Sequence, residues 1–450
     1  MTANDSIPEH EPVDPQSDLR MREDGFEHTL PLFGAFVAVA LAALLLAVLT
    51  VHRRNPEELV HRPNSMRSHA VLEHWLNEGY FHYVGMLNRS EGRNSLYLNS
   101  TGGYMVSGFI VEKAYSAMSG HYSYRLLAVH NQFVSMVLSA LAGLLCYRLT
   151  RRLGLEPVLS FTAGVSVVLV VFTFPDNLDL YWEMSPQAYA LLFAFVFCLL
   201  EERGIDSPSR SRVLLISQAA TMFLMTVMES FVAFGFAVST AVVLAILRRG
   251  EGWKRYVVVV VLPIASALLL YELQVKVAIA RFPDVPTTGS TLLWRTGLDG
   301  ESLYYTDHLG IATKRDVARK NWPQNRDALF RWKWVFLLGS ISTLGVLVGY
   351  VFRRVPRVAA ETLVVLIGAW LIYAAVFSQA VVIHPYLYDT LLFAPLAMAL
   401  FCIAPSLLES LTKRSGSFLL VVAFAAIWYS FFQLRLYALR WPLPSQLPPQ

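Results

Sequence analysis

About eleven stretches of nearly uninterrupted apolar residues constrain this chain more than any other feature. They fall near residues 30–50, 124–147, 157–174, 186–200, 213–228, 230–247, 256–277, 332–352, 362–377, 388–404 and 417–437. Around 20 apolar residues in a helix cross the roughly 30 Å hydrocarbon core of a bilayer, so these runs predict transmembrane helices. The fold class expected is all-α: a polytopic membrane helix bundle of about 11 spans, with external loops bearing short amphipathic helices. Composition agrees, because 55% hydrophobic and 16% charged residues with a mean hydropathy of +0.45 exclude an ordinary soluble domain. A net charge of +4 without any Lys/Arg block excludes nucleic acid as a partner. Cys146, Cys198 and Cys402 each lie inside an apolar run without metal-ligand spacing and read as buried apolar filler.

Residues 1–28, rich in Asp, Glu, Pro and Ser, read as a disordered tail, 29–440 as the transmembrane domain, and 441–450 as a Pro-rich tail. Arg148, Arg151 and Arg152, then Arg203, Arg210 and Arg212, then Arg248, Arg249, Lys254 and Arg255, then Arg353, Arg354 and Arg357, then Lys413 and Arg414 occupy alternate short loops. Positive charge marks the cytoplasmic side, so these loops and the N-terminus are expected inside. The first long loop, 53–123, and a second, 278–331, are then external. Both are basic for an outer face. Long loops translocate largely regardless of charge, so the orientation stands and the cations need another role. Two readings remain open: contact with anionic membrane lipid, or Arg67 and Arg295 holding a lipid-linked phosphate through bidentate hydrogen bonds.

The first external loop carries most of the polar chemistry. Ser68 can cap a helix that Gly79 stops, with Ala70, Trp75 and Leu76 as its apolar side, and residues 105–118 repeat the pattern after a turn at Gly102-Gly103. His69 and Glu73, four residues apart, share a helical face and can share a proton or form an intrahelical pair. In the short loop 174–185, Asp176, Asp179 and Glu183 cluster beside Tyr181 and Trp182. These acids are either solvated loop carboxylates or oxygen ligands for a divalent metal, Mg or Mn. The aromatics stack on a sugar or sit in the headgroup belt. Glu229, between two apolar runs, is placed either at the external surface or facing a cavity.

One helix, then a large external loop with two surface helices, then an arginine entering the next helix, resembles the GT-C glycosyltransferases. The residues that carry the resemblance are Ala70, Trp75, Leu76, Gly79, Leu96, Tyr97, Gly102, Gly103, Gly108, Gly120 and Arg125, with Pro186-Gln187-Ala188-Tyr189 opening a span and Ile383-His384-Pro385-Tyr386 before a late one. The resemblance implies transfer of a sugar from a polyprenyl-phosphate carrier to an external glycan, lipid or protein, on the outer face of the inner cell membrane. It also implies that His384 faces the carrier phosphate. One departure bears on the base. The family carries an acid shortly after the first helix, and the matching place, near Asn64-Ser65, has none. Asp179 and Asp176 lie on a short loop free of neighbouring cations and are the first candidates for base, with Glu73 beside His69 next. Arg67, His69, Arg295, His384, Tyr386 and Trp182 are the expected substrate contacts. A transporter or flippase of lipid-linked substrates is the alternative from another class, and an inactive scaffold a third. No nucleotide-binding glycine motif is present, which fits a donor carried in the membrane.

Overall fold

The apolar runs do become helices, and their ends coincide with the polar breaks that the sequence supplies. In the computed structural model, residues 26–51, 72–73, 75–77, 79, 87–90, 93–97, 103–174, 186–205, 212–250, 252–283, 287–288, 332–377, 386–414 and 416–440 are described. Helix α1 is Phe26–Val51, α2 Gly103–Ser119, α3 Tyr124–Arg152, α4 Pro157–Phe172, α5 Pro186–Ile205, α6 Arg212–Met228 and α7 Ser230–Ile246. Helix α8 joins Trp253–Tyr256, a π turn Val257–Val261 and Leu262–Arg281. Then come α9, Lys333–Val351, and α10, Arg357–Val376; α11 joins Tyr386–Met398, a second π turn Ala399–Ile403 and Ala404–Thr412, and α12 is Ser417–Arg440.

Among the described residues, seven helices are long and apolar enough to cross a membrane, and α4, α6 and α7 are shorter apolar helices. Helix α5 carries Glu201, Glu202 and Arg203 in its last turns. The protein is a multi-pass membrane protein built as a helix bundle. Many apolar side chains of α8, α9 and α12 face outward, as a bundle solvated by lipid requires.

Helix ends follow local chemistry. Pro157 stands at the first position of α4, where its missing N–H costs nothing. Ser123 caps α3 by accepting from the Leu126 amide. Gly120 ends α2 with φ +78°, a conformation that L side chains rarely adopt. The two π turns lie within α8 and α11, whose apolar runs continue straight through them.

Consecutive spans run antiparallel, which gives the bundle two distinct ends. At one end, Arg148 and Arg152 of α3 meet Glu202 of α5 at 2.9 Å each. There Arg248, after α7, forks onto Glu361 of α10 at 3.0 and 2.7 Å, and Arg255 of α8 donates to Glu201 at 3.0 Å. The arginines that alternate along the sequence thus gather in space. At the opposite end, Phe174 stacks on Phe393 of α11 at 3.9 Å and meets Trp332 edge-on at 4.8 Å. These rings pin the exit of α4 to the entry of α9. Between the ends, Gly235 of α7 lies so close to the Ala369 carbonyl of α10 that a side chain there has no room.

The expected loops contain one element that the hydropathy pattern does not predict. Strands β1, Leu87–Ser90, and β2, Arg93–Tyr97, pair antiparallel, and β2 pairs in parallel with β3, Thr287–Thr288. The small sheet therefore links the first long loop to the second.

Candidate functional site

The end of the bundle opposite the arginine cluster is where α2 packs. Leu72, Glu73, Trp75, Leu76 and Asn77 are helical, and the segment stops at Gly79, whose φ is +89° and whose amide donates to the Trp75 carbonyl at 3.0 Å. Leu72 and Trp75 are buried with Met105 of α2 and Leu127 of α3, and Trp75 meets Phe109 edge-on at 5.9 Å. The two amphipathic helices expected from the sequence thus use their apolar sides to pack on each other and on α3. Met105, Gly108 and Glu112 are buried on one face of α2, at the i, i+3, i+7 spacing of an amphipathic helix.

Gly103 opens α2 as a helical residue. A Cβ there would stand 2.7 Å from the Val227 carbonyl of α6, so its small size serves close approach between helices. Further along α2, the Ser107 and Tyr189 hydroxyls share a hydrogen bond of 2.7 Å, which ties α2 to the start of α5. Tyr189 belongs to the Pro186-Gln187-Ala188-Tyr189 stretch.

Among the described residues, two carboxylates are buried at this end, and reasoning from loops alone misses Glu112. It is 2% exposed, with Oε2 accepting from the Ser123 amide at 2.9 Å and Oε1 without a hydrogen-bond partner. Burial pushes its carboxyl above the ordinary value, against amide hydrogen bonds from Ser123 and Leu127 that favour the charged form. Its position at the amino end of α3 also favours an anion. A charge at an apolar position of α2 is the sequence signal that marks it. Glu229 is 7% exposed and caps α7, accepting from the Phe231 amide at 3.4 Å. The structure thus places it inside the bundle as a helix cap. Each carboxylate holds the start of a helix, Glu112 through the Ser123 amide and Glu229 through the Phe231 amide.

Of the site residues expected from the sequence, Glu73 is described and exposed, on the segment whose Leu72 and Trp75 point inward. Tyr386 opens α11, and its side chain is outside the described residues. Arg67, His69, Asp176, Asp179, Trp182, Glu183, Arg295 and His384 also lie outside the described residues. The described residues that flank these segments, Phe174, Trp332 and Phe377, are all at the α2 end, the last through its ring contact of 4.7 Å with Phe231. Among the described residues, no group of three or more His, Cys, Asp or Glu side chains is placed to hold a metal ion.

No protein-family model and no curated protein matches the chain. Among solved structures, the chain is similar to the crystal structure of ArnT from Cupriavidus metallidurans bound to undecaprenyl phosphate. The identity is 14% and the TM-score 0.39, over 84% of this chain and 77% of that one.

Proposed function

We propose that this protein is a membrane glycosyltransferase that moves a sugar from a polyprenyl-phosphate carrier to a glycan, lipid or protein on the outer face of the inner cell membrane. The observation that carries the reading is the construction of the α2 end. Two amphipathic helices lie packed across the bundle there, and β2–β3 pairing links the two long basic loops. An amphiphilic donor needs such a place: hydrocarbon helices for the polyprenyl chain and a polar platform above them for phosphate and sugar. The sequence resemblance to GT-C glycosyltransferases points the same way.

In this reading Arg67 and Arg295 hold the carrier phosphate as it leaves, with His69, His384 and Tyr386 nearby and Trp182 against the sugar. Asp179 or Asp176 takes the acceptor proton, with Glu73 as the next choice. Asp176, Asp179 and Glu183 supply the oxygen ligands that a magnesium or manganese ion takes, should the reaction use one.

The test is transfer of a labelled hexose from a polyprenyl-phosphate hexose by the purified protein in nanodiscs, with cell-envelope extract as acceptor. Asp176→Asn and Asp179→Asn keep shape and remove basicity, so at least one should abolish turnover while donor binding persists. Arg67→Ala or Arg295→Ala should weaken donor binding by about 1.5–3 kcal/mol. Movement of the donor across a proteoliposome membrane without sugar transfer would replace this reading with transport. Wild-type turnover in D176N, D179N and Glu73→Gln alike would remove the assigned bases.

A further inference from the structure

Three helices stop at the arginine end of the bundle in the same strained way. Among the described residues, the non-glycine residues with positive φ are Arg249, Arg353 and Lys413, at 49°, 56° and 50°. Each is basic, and they follow α7, α9 and α11 in turn. A left-handed residue lets the next amide close the last turn, as Gly250 does on the Leu244 carbonyl and Arg354 on the Gly349 carbonyl, both at 2.8 Å. Glycine fills this position at the lowest cost, and does so at Gly154 after α3. A Cβ there strains the backbone, and such strain gathers where a side chain serves binding or switching. A cation also suits a helix C-terminus, but the next residues, Arg354 and Arg414, supply one without strain.

Two of these ends emerge together. Gly339 of α9 lies against Leu396 of α11 and, further along, Gly349 lies against Leu407, so the helices run side by side in one direction and finish beside each other. Arg353, Arg354, Lys413 and Arg414 are exposed, and none forms an ion pair among the described residues. Arg357 is committed to Glu361 at 3.0 Å and is not counted with them. The nearby acids are Glu409, 3% exposed and accepting from the Gly416 amide, and Glu156 at the start of α4. Even with both counted, four cations stand against two carboxylates. Toward the bundle's middle, Leu344, Val348 and Val351 of α9 and Leu408 and Leu411 of α11 are exposed. A cationic rim above an apolar flank is complementary to an anionic head group with acyl chains.

We propose that the joined ends of α9 and α11 bind an anionic glycerophospholipid of the adjoining leaflet, its phosphate held by Arg353, Arg354, Lys413 and Arg414 and its acyl chains lying along the apolar flank. The site is at the end opposite the proposed transfer chemistry and does not depend on that reading.

Native mass spectrometry of the full chain, released from a nonionic detergent and titrated with phosphatidylglycerol, tests the assignment. Wild type should bind this lipid at least tenfold more tightly than phosphatidylcholine, and inorganic phosphate should not displace it. Arg353→Gly with Lys413→Gly removes two cations and relieves the backbone. That variant should unfold in lipid-free detergent at the wild-type temperature or above, while its phosphatidylglycerol binding falls at least tenfold. Arg354→Gln with Arg414→Gln leaves the left-handed positions alone and should lose binding to a similar extent; if the glycine variant unfolds early, this one decides. Arg212→Gln with Lys254→Gln, exposed cations elsewhere at the same end, should bind like wild type. Equal affinity for phosphatidylcholine would leave hydrocarbon contact alone, and displacement by inorganic phosphate would make this a free-anion site. An equal loss in the Arg212, Lys254 variant would make the attraction general to the rim. Any of these results, or wild-type binding in the folded α9–α11 variants, overturns the proposal.

Discussion

Replacing Glu202 by Gln removes the single carboxylate that Arg148 and Arg152 share. Its side chain is 2% exposed, and each arginine Nε donates to a different oxygen at 2.9 Å. Two hydrogen bonds to a charged group are worth about 1.5–3 kcal/mol each. The arginine side chains are 23% and 16% exposed, so they can turn toward water or headgroups and recover part of their solvation. The net loss expected is therefore about 2–4 kcal/mol, somewhat below the usual cost of breaking a fully buried pair. Arg148→Gln leaves Glu202 with Arg152 and should cost about 1.5–3 kcal/mol, the worth of one such bond. The triple variant Glu202→Met, Arg148→Met, Arg152→Met removes all three charges together and should recover at least half of the E202Q loss. Equilibrium unfolding by SDS titration in mixed micelles measures all three. An E202Q loss under about 0.5 kcal/mol, the range of an ordinary surface change, would refute the reasoning. So would a triple variant no more stable than E202Q, because then packing rather than charge pairing would hold α3 to α5.

Glu112 should make the docking of α2 depend on pH. Burial raises its carboxyl above the ordinary 4.5, so the folded state binds the proton more tightly than the unfolded state, and docking weakens as pH rises from that value through the folded pKa. Hydrogen exchange of residues 103–123 should therefore speed up across that window in wild type beyond the intrinsic chemical rate, and Glu112→Gln should abolish the excess; identical profiles would refute the assignment. Gly103→Val should lift the start of α2 off α6, at a cost of about 1–3 kcal/mol for overpacking, read as faster proteolysis between residues 97 and 110. Protection equal to wild type would show that the contact with Val227 yields cheaply. For orientation, single cysteines at Ser95 and Ser290 should react with a membrane-impermeant maleimide in intact cells and one at Ser209 should not; labelling at Ser209 would invert the proposed topology.

Hydropathy alone located the membrane helices, because a segment that spans a bilayer must satisfy its own backbone and present apolar side chains for about 20 residues. The runs expected at 332–352, 362–377 and 417–437 match Lys333–Val351, Arg357–Val376 and Ser417–Arg440. Turn and cap chemistry, which is local, placed the amphipathic helices that end at Gly79 and Gly120. Other features needed the tertiary structure, since they depend on which residues distant in sequence become neighbours. Arg248 and Glu361 are 113 residues apart, and as loop cations the arginines indicated orientation alone. Their carboxylate partners come within reach only once the helices are assembled. The β2–β3 pairing is decided in the same way, because two residues of strand have no hydropathy signal and gain their hydrogen bonds only from a distant loop. Glu112 stands between the two cases. Its place on the Met105–Gly108 face was legible in the sequence, but its burial was not, because only the packing of α2 on α3 makes that face an interior one.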